Sequence, residues 1–303
     1  MSITICPVTE HFVAEVYDVD LSAPLDRDVL EDIKLAFWNY AVLVFPEQNL
    51  TQDQHVAFAR HFGPMDKTIL KAAVSDKALR VPEEIADVSN LEGDNKVWDK
   101  NSRLRGLQLG NRLWHTDSSF KFVPALVSML YALEVPPIGG QTEFADLRAA
   151  YDALDESTKL RIEGLIAEHS LMYSRERMGY TDWTEEERRA VAPVPQMMVR
   201  TIAQTGRKNL FVASHAGYVV GMDEVAGRQL IDELLAHASQ RQFVHTHRWR
   251  QHDLVLWDNR CALHRGLPFD DLRFRRDMQR ATVLDVANTC EQAGVPVPVI
   301  EAA

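Results

Sequence analysis

Short apolar runs recur along this chain at residues 41–45, 126–133, 209–213, 253–257 and 279–284. They are rich in Val, Leu and aromatics and are bounded by Gly, Pro, Asn or Asp, which is the signature of strands. Between them the apolar spacing changes to that of helices. Residues 28–38 place Val29, Ile33 and Phe37 on one face. Residues 224–238 place Ile231, Leu234, Leu235 and Ala238 at helical spacing, and 156–166 follow a turn. Strands and helices do not alternate regularly. That disfavours a doubly wound parallel sheet and predicts a mostly β, antiparallel core decorated by helices. With no internal repeat, one domain over 1–303 is expected. The polar stretch 172–195 reads as a surface insertion or lid, and 286–303, with its prolines and small residues, as a partly disordered C-terminal tail.

Composition narrows the partners. At 46% hydrophobic and 25% charged, the 303 residues are ordinary globular material with enough chain for a sizeable core. The 33 basic and 44 acidic residues give a net charge of −11, which argues against nucleic acid or an anionic membrane as main partner. A small anionic substrate is compatible, because a few local arginines decide that. Cys6, Cys261 and Cys290 are odd in number and form no CxxC pair, so neither a disulfide framework nor a thiolate zinc site is expected. The N-terminus lacks a basic start before an apolar run, and no window reaches the roughly 18–20 apolar residues of a membrane span. A cytoplasmic location is the expectation.

The candidate chemistry starts in NRLWHTDSSF (111–120). Extended, its His115 and Asp117 would point to the same face and reach one metal ion. A third ligand is available as His264 in WDNRCALHRG. Two neutral imidazoles and one carboxylate leave coordination positions open for oxygen and a chelating cosubstrate, which suits non-haem Fe(II). Taken alone an HxD pair is weak, and a hydrogen-bonded core histidine beside a turn aspartate explains it as well. His245 and His247 share a strand face in FVHTHRW and are rival ligands, but no carboxylate stands at comparable spacing, although Asp253 and Asp258 follow. His11, His55, His61, His169, His237 and His252 read as surface or packing residues, and His215 as core or pocket wall.

Downstream, Arg273, Arg275, Arg276 and Arg280 lead into an apolar strand, where Arg276, Met278 and Arg280 share one face. Guanidinium groups bind carboxylates bidentately, so inward arginines here could hold two carboxylates, while a solvated edge strand explains Arg273 and Arg275. Thr142, just after the Gly139-Gly140 turn, offers a hydroxyl that could add a hydrogen bond.

Together these segments form an ordered pattern. AVLVFPEQNLTQDQHVAFARHFGP (41–64), LWHTDSSF (113–120), VPPIGGQTEFADLRAAYDAL (135–154), TGRKNLFVASHA (205–216), WDNRCALHRG (257–266) and RRDMQRATVL (275–284) run over nearly the whole chain. In this the chain resembles the taurine and 2,4-dichlorophenoxyacetate dioxygenase family of 2-oxoglutarate-dependent oxygenases, in particular its phenoxyacetate branch. The resemblance implies a double-stranded β-helix, or jelly-roll, with surrounding helices. It implies Fe(II) on His115, Asp117 and His264, with 2-oxoglutarate and O2 as cosubstrates. Thr142 and Arg276 would bind the distal carboxylate of 2-oxoglutarate, with Arg275 as rival because the loop after His264 carries one residue more than the family spacing. Arg280 would hold the anionic head of the substrate. Lys71, Lys96, Ser119 and His215 match positions near the family's pocket, and Ile202 and Tyr218 replace two pocket histidines. The activity implied is hydroxylation of a small carboxylate, an aryloxyalkanoate cleaved to a phenol and a glyoxylate-type acid. An alkylsulfonate dioxygenase and a non-catalytic jelly-roll binding protein are the alternatives. A homo-oligomer is expected.

Overall fold

The structure is a computed structural model and describes residues 3–67 and 80–300. Strands β1 (Thr4–Pro7), β2 (Val13–Tyr17) and β3 (Val42–Phe45) come first, then β4 (Ile85–Asp87), β5 (Ala125–Glu134) and β6 (Thr142–Asp146). Next are β7 (Ile166–His169), β8 (Val194–Met197), β9 (Val199–Thr201), β10 (Lys208–Leu210) and β11 (Ala216–Val219). The last are β12 (Val244–His247), β13 (Leu254–Asp258), β14 (Ala262–Gly266) and β15 (Asp277–Leu284). A large sheet has the order β1-β2-β3-β13-β5-β15-β4, in which, among the described residues, only β2 on β3 is parallel. Facing it is a small sheet of order β12-β6-β14, flanked by β11-β7-β8 and by β9 paired with β10. This is the expected jelly-roll core.

Strand periodicity explains the continuous apolar runs. On the large sheet Val42, Val44, Leu130, Ala132, Val255, Trp257 and Met278 point inward and pack with Phe144 and Ala262 of the small sheet. Their neighbours Leu43, Phe45, Val127, Met129, Tyr131, Leu254, Leu256, Ala281 and Val283 point outward and are covered by Val29, Ile33 and Phe37 of helix Arg27–Tyr40 and Phe58 of helix Gln52–Arg60. Both faces are buried, so alternation of apolar and polar residues is lost. Each fully buried Leu, Val or Phe contributes about 1.5–3 kcal/mol.

Helix Glu224–Ala238 forms as expected. The expected helix 156–166 ends at Ile162 because Gly164 turns left-handed at φ 75°, and Ile166 already begins β7. Of the run 209–213 only Asn209 and Leu210 join a ladder, within β10. The remainder is buried loop, tied to the HxD segment by Ser214 N–H donating to Trp114 O at 2.9 Å. Within 172–195 lies helix Glu185–Ala190, clamped by Arg103 on Glu187 at 2.7 Å. The tail is packed at its start, where Asn288 caps helix Thr289–Gln292 and Met197 N–H donates to Thr289 Oγ1 at 2.7 Å. No helix among the described residues is long and apolar enough to cross a membrane.

Candidate metal centre and adjoining clefts

His115 and His264 face each other across a two-residue antiparallel bridge. His115 N–H donates to His264 O at 3.0 Å, and His264 N–H returns to His115 O at 2.8 Å. The chain turns at Asp117, and Ser118 is left-handed at φ 52°. His115 Nε2 lies 4.0 Å from Asp117 Oδ1, and His264 Nε2 lies 3.7 Å from Oδ2. All three side chains are buried, and one ligand atom from each falls within 4.8 Å of the others. Among the described residues no other group of three His, Cys, Asp or Glu is placed to share an ion. The rival His247 is instead paired with buried Asp253 at 3.1 Å.

Protonation favours a cation. His115 Nδ1–H donates to Leu113 O at 2.8 Å, which leaves the Nε2 lone pair free. Burial pushes His115 down to about 4 and His264 well below its ordinary value, so both rings are neutral ligands. Burial pushes the Asp117 carboxyl up, but the Arg280 charge and the Ser128 hydroxyl hold it below the usual range. Arg280 Nη1 donates directly to Asp117 Oδ1, which keeps the carboxylate charged. The donor set therefore fits a divalent ion with open positions, as the 2-His-1-carboxylate pattern does for Fe(II).

Residues that were not singled out in the sequence lock this geometry. Asn259 Oδ1 accepts from Asp117 N–H at 3.0 Å and from Trp257 Nε1–H at 3.0 Å, while its Nδ2 donates to Ser128 Oγ at 2.9 Å. Ser128 donates in turn to Asp117 Oδ2 at 2.6 Å. Asn259 sits in the quoted WDNRCALHRG, so its position was visible, but nothing in a lone amide announces such a contact.

Two clefts meet at the triad. The first, spanning about 760 Å³ including its open mouth, is lined by His115, His264, Thr142, Arg276 and Arg280 among others. Arg276 is held by Asn90, whose Oδ1 accepts its backbone N–H at 2.7 Å, and its Nε–H donates to Gly140 O at 3.3 Å. No carboxylate among the described residues pairs with it, and burial lowers its pKa to about 10. Trp249 Nε1–H donates to Thr142 Oγ1 at 3.0 Å, which leaves the hydroxyl proton free to donate. Gly139, left-handed at φ 79°, is needed here because a Cβ would meet Pro268 O at 2.5 Å. The rival Arg275 turns outward, bonding Glu134 at 2.8 Å.

The second cleft, about 860 Å³, is lined by His115, Asp117, Phe120, Arg175, His215 and Arg280 among others, with Leu107 and Leu171 adding apolar wall. The His215 Nδ1 is 3.0 Å from Ser174 Oγ, and burial, then Arg175, hold the ring neutral. The other expected wall residues lie elsewhere. Ser119 is buried behind the wall against His169 Nδ1 at 3.1 Å, since the left-handed Ser118 reverses the chain's facing. Ile202 packs in the core between the sheets. Tyr218, half-exposed on β11, stacks edge-on to Tyr173. Lys96 is exposed and paired with Asp94 at 2.7 Å. Lys71 lies outside the described residues.

Comparison with known proteins bears on this arrangement. A family model described as "Taurine catabolism dioxygenase TauD, TfdA family" matches residues 4–282. The chain is 46% identical, over 95% of its length and 99% of the relative's, to an α-ketoglutarate-dependent 2,4-dichlorophenoxyacetate dioxygenase of Cupriavidus pinatubonensis. It is 39% identical, over 88% of its length and 90% of the relative's, to an (S)-phenoxypropionate/α-ketoglutarate dioxygenase of Sphingobium herbicidovorans. The crystal structure of AAD-2 with Mn(II) and N-oxalylglycine superposes with a TM-score of 0.87 at 45% identity, covering 95% of this chain and 99% of that one.

Proposed function

The chain belongs to the taurine catabolism dioxygenase TauD, TfdA family of Fe(II)- and 2-oxoglutarate-dependent oxygenases, and from that premise we propose that it hydroxylates a small aryloxyalkanoate and so cleaves its ether bond. The observation that carries the substrate class is the 46% identity, end to end, with a 2,4-dichlorophenoxyacetate dioxygenase. The second cleft, where Phe120, Leu107 and Leu171 stand near Arg280, suits an aromatic ring bearing a carboxylate.

His115, Asp117 and His264 would hold the iron. Bound iron with 2-oxoglutarate and O2 supplies the oxidation, turning the cosubstrate into succinate and CO2 as one oxygen atom enters a substrate C–H bond. Arg276 and the Thr142 hydroxyl grip the cosubstrate's distal carboxylate in the first cleft. Arg280, between the clefts, anchors the substrate carboxylate and so fixes which carbon faces the triad. If that carbon bears the ether oxygen, the product is a hemiacetal that collapses to a phenol and a glyoxylate-type acid. A cytoplasmic homo-oligomer is part of the same reading, and light scattering checks the assembly.

Succinate release with phenoxyacetate, 2-phenoxypropionate and taurine tests the substrate class. Phenoxyacids are expected to drive it. Turnover with taurine alone would transfer the assignment to an alkylsulfonate, and a chain that takes up no Fe(II) would be a binding protein.

A further inference from the structure

A second buried guanidinium stands in the substrate cleft. Arg175, on helix Leu171–Glu176, is 8% exposed and lines the second cleft with Arg280 and His215. Its Nη1–H donates to Ser174 Oγ at 3.0 Å and its Nη2–H to Asn111 Oδ1 at 3.2 Å. Its Nε–H is buried without a hydrogen-bond partner, and among the described residues no carboxylate pairs with the group. Burial, and then the like charge of Arg280, lower its pKa to about 10, so it remains a cation at neutral pH.

A buried cation held by two neutral acceptors is costly unless an anion visits it. The local backbone is shaped to keep it there: at Gly110 a Cβ would meet Arg175 Nε at 2.4 Å and Cζ at 2.5 Å. The acids lining the same cleft are committed elsewhere. Asp66 is held by Lys121 at 2.7 Å, Glu83 by Lys67 at 3.7 Å, Glu84 by Arg60 at 2.8 Å, Asp87 by Arg80 at 3.0 Å, and Asp117 by Arg280 and the triad. Asp117 stabilises the Arg175 charge at a distance, but among the described residues no carboxylate of the cleft forms an ion pair with it.

Building on the proposed function, we infer that Arg175 is a second anion-binding residue of the substrate cleft, which grips the substrate carboxylate together with Arg280. Arg280 alone is shared with Asp117, whereas Arg175 is uncommitted and has N–H groups to spare. Its neutral neighbours Ser174, Asn111 and His215 fix its direction without cancelling its charge.

The test is calorimetric titration of protein loaded with Mn(II) and N-oxalylglycine, using phenoxyacetate and its neutral amide, phenoxyacetamide. In Arg175→Met the phenoxyacetate Kd is expected to rise at least about tenfold, as for loss of a charged hydrogen bond. Phenoxyacetamide and N-oxalylglycine affinities should hardly move, and Arg175→Lys should recover part of the loss. Gly110→Ala, which crowds the guanidinium without removing it, should show the same selective loss and decides the matter if Arg175→Met does not fold. Unchanged phenoxyacetate affinity in either folded variant, or equal losses for acid and amide, overturns the assignment alone. Wild-type protein that binds N-oxalylglycine but no phenoxyacetate overturns it together with the substrate class.

Discussion

Asp117 carries several demands on one carboxylate. It accepts from Ser128, its backbone N–H is fixed by Asn259, and Arg280 shares its charge. Removing Arg280 therefore frees Asp117 as well as the anchor of the substrate. Arg280→Ala is expected to raise the phenoxyacetate KM at least about tenfold, with a small change in the 2-oxoglutarate KM. Succinate-release kinetics check this, and the reverse pattern would mean that Arg276 and Arg280 have exchanged roles. His115→Ala should abolish turnover and weaken Mn(II) binding by calorimetry, because two donors remain where three converged. At this scale residue chemistry was legible where the side-chain type dictates it. HxD with His264 reads as a ligand set only together with the ordered family pattern around it, and strand parity put Arg276 and Arg280 on one face while Arg275 turned away. Facing is not legible once the backbone leaves regular geometry. The left-handed Ser118 turned Ser119 behind the wall, and Ile202, just past β9, fell into the core. Arg175 was hidden for a related reason: its 172–195 context is polar, and only folding buries it.

The strands place the triad by register rather than by local sequence. His264 pairs opposite Phe144, and Phe144 packs on Trp257 with ring centroids 5.5 Å apart. Asn259, just past β13, ties the HxD turn of one segment to Ser128 on another. Asn259→Ala leaves the Asp117 N–H and the Trp257 indole N–H without their acceptor, so it should destabilise the protein by about 2 kcal/mol. Urea unfolding measures that loss. The same variant should weaken Mn(II) binding by roughly 10–100-fold, as for outer-sphere partners of a metal site, and unchanged metal affinity would make Asn259 a purely structural residue. Runs buried on both sides, such as β5 and β13, were readable as strands because little polar residue interrupts them. The short piece β9 was not, and β10 was read only with the wrong bounds, since their pairing depends on a turn and on distant contacts.

For the molecule as a whole, buried histidines set the acid limit. Burial pushes His55 down to about 4, against a hydrogen bond to Met129 O, and pushes His169 to about 3. The unfolded chain protonates both near 6.5. Between those values the unfolded state binds more protons, so stability is full above about pH 6.5 and falls as pH drops toward 4. Each histidine contributes a slope of at most about 1.4 kcal/mol per pH unit. Urea midpoints measured from pH 7 to 5 should fall accordingly, and less steeply in a folded variant lacking His55. A flat profile across that range would contradict the buried neutral state.

The reciprocal hydrogen bonds between His115 and His264 also set a timetable. On the ribosome, His115 and Asp117 emerge well before His264 has been made. Two donors hold a divalent ion far less well than three, and the third arrives only with the strand that closes the small sheet. The complete ligand set therefore exists only once β14 is in place beside the HxD segment.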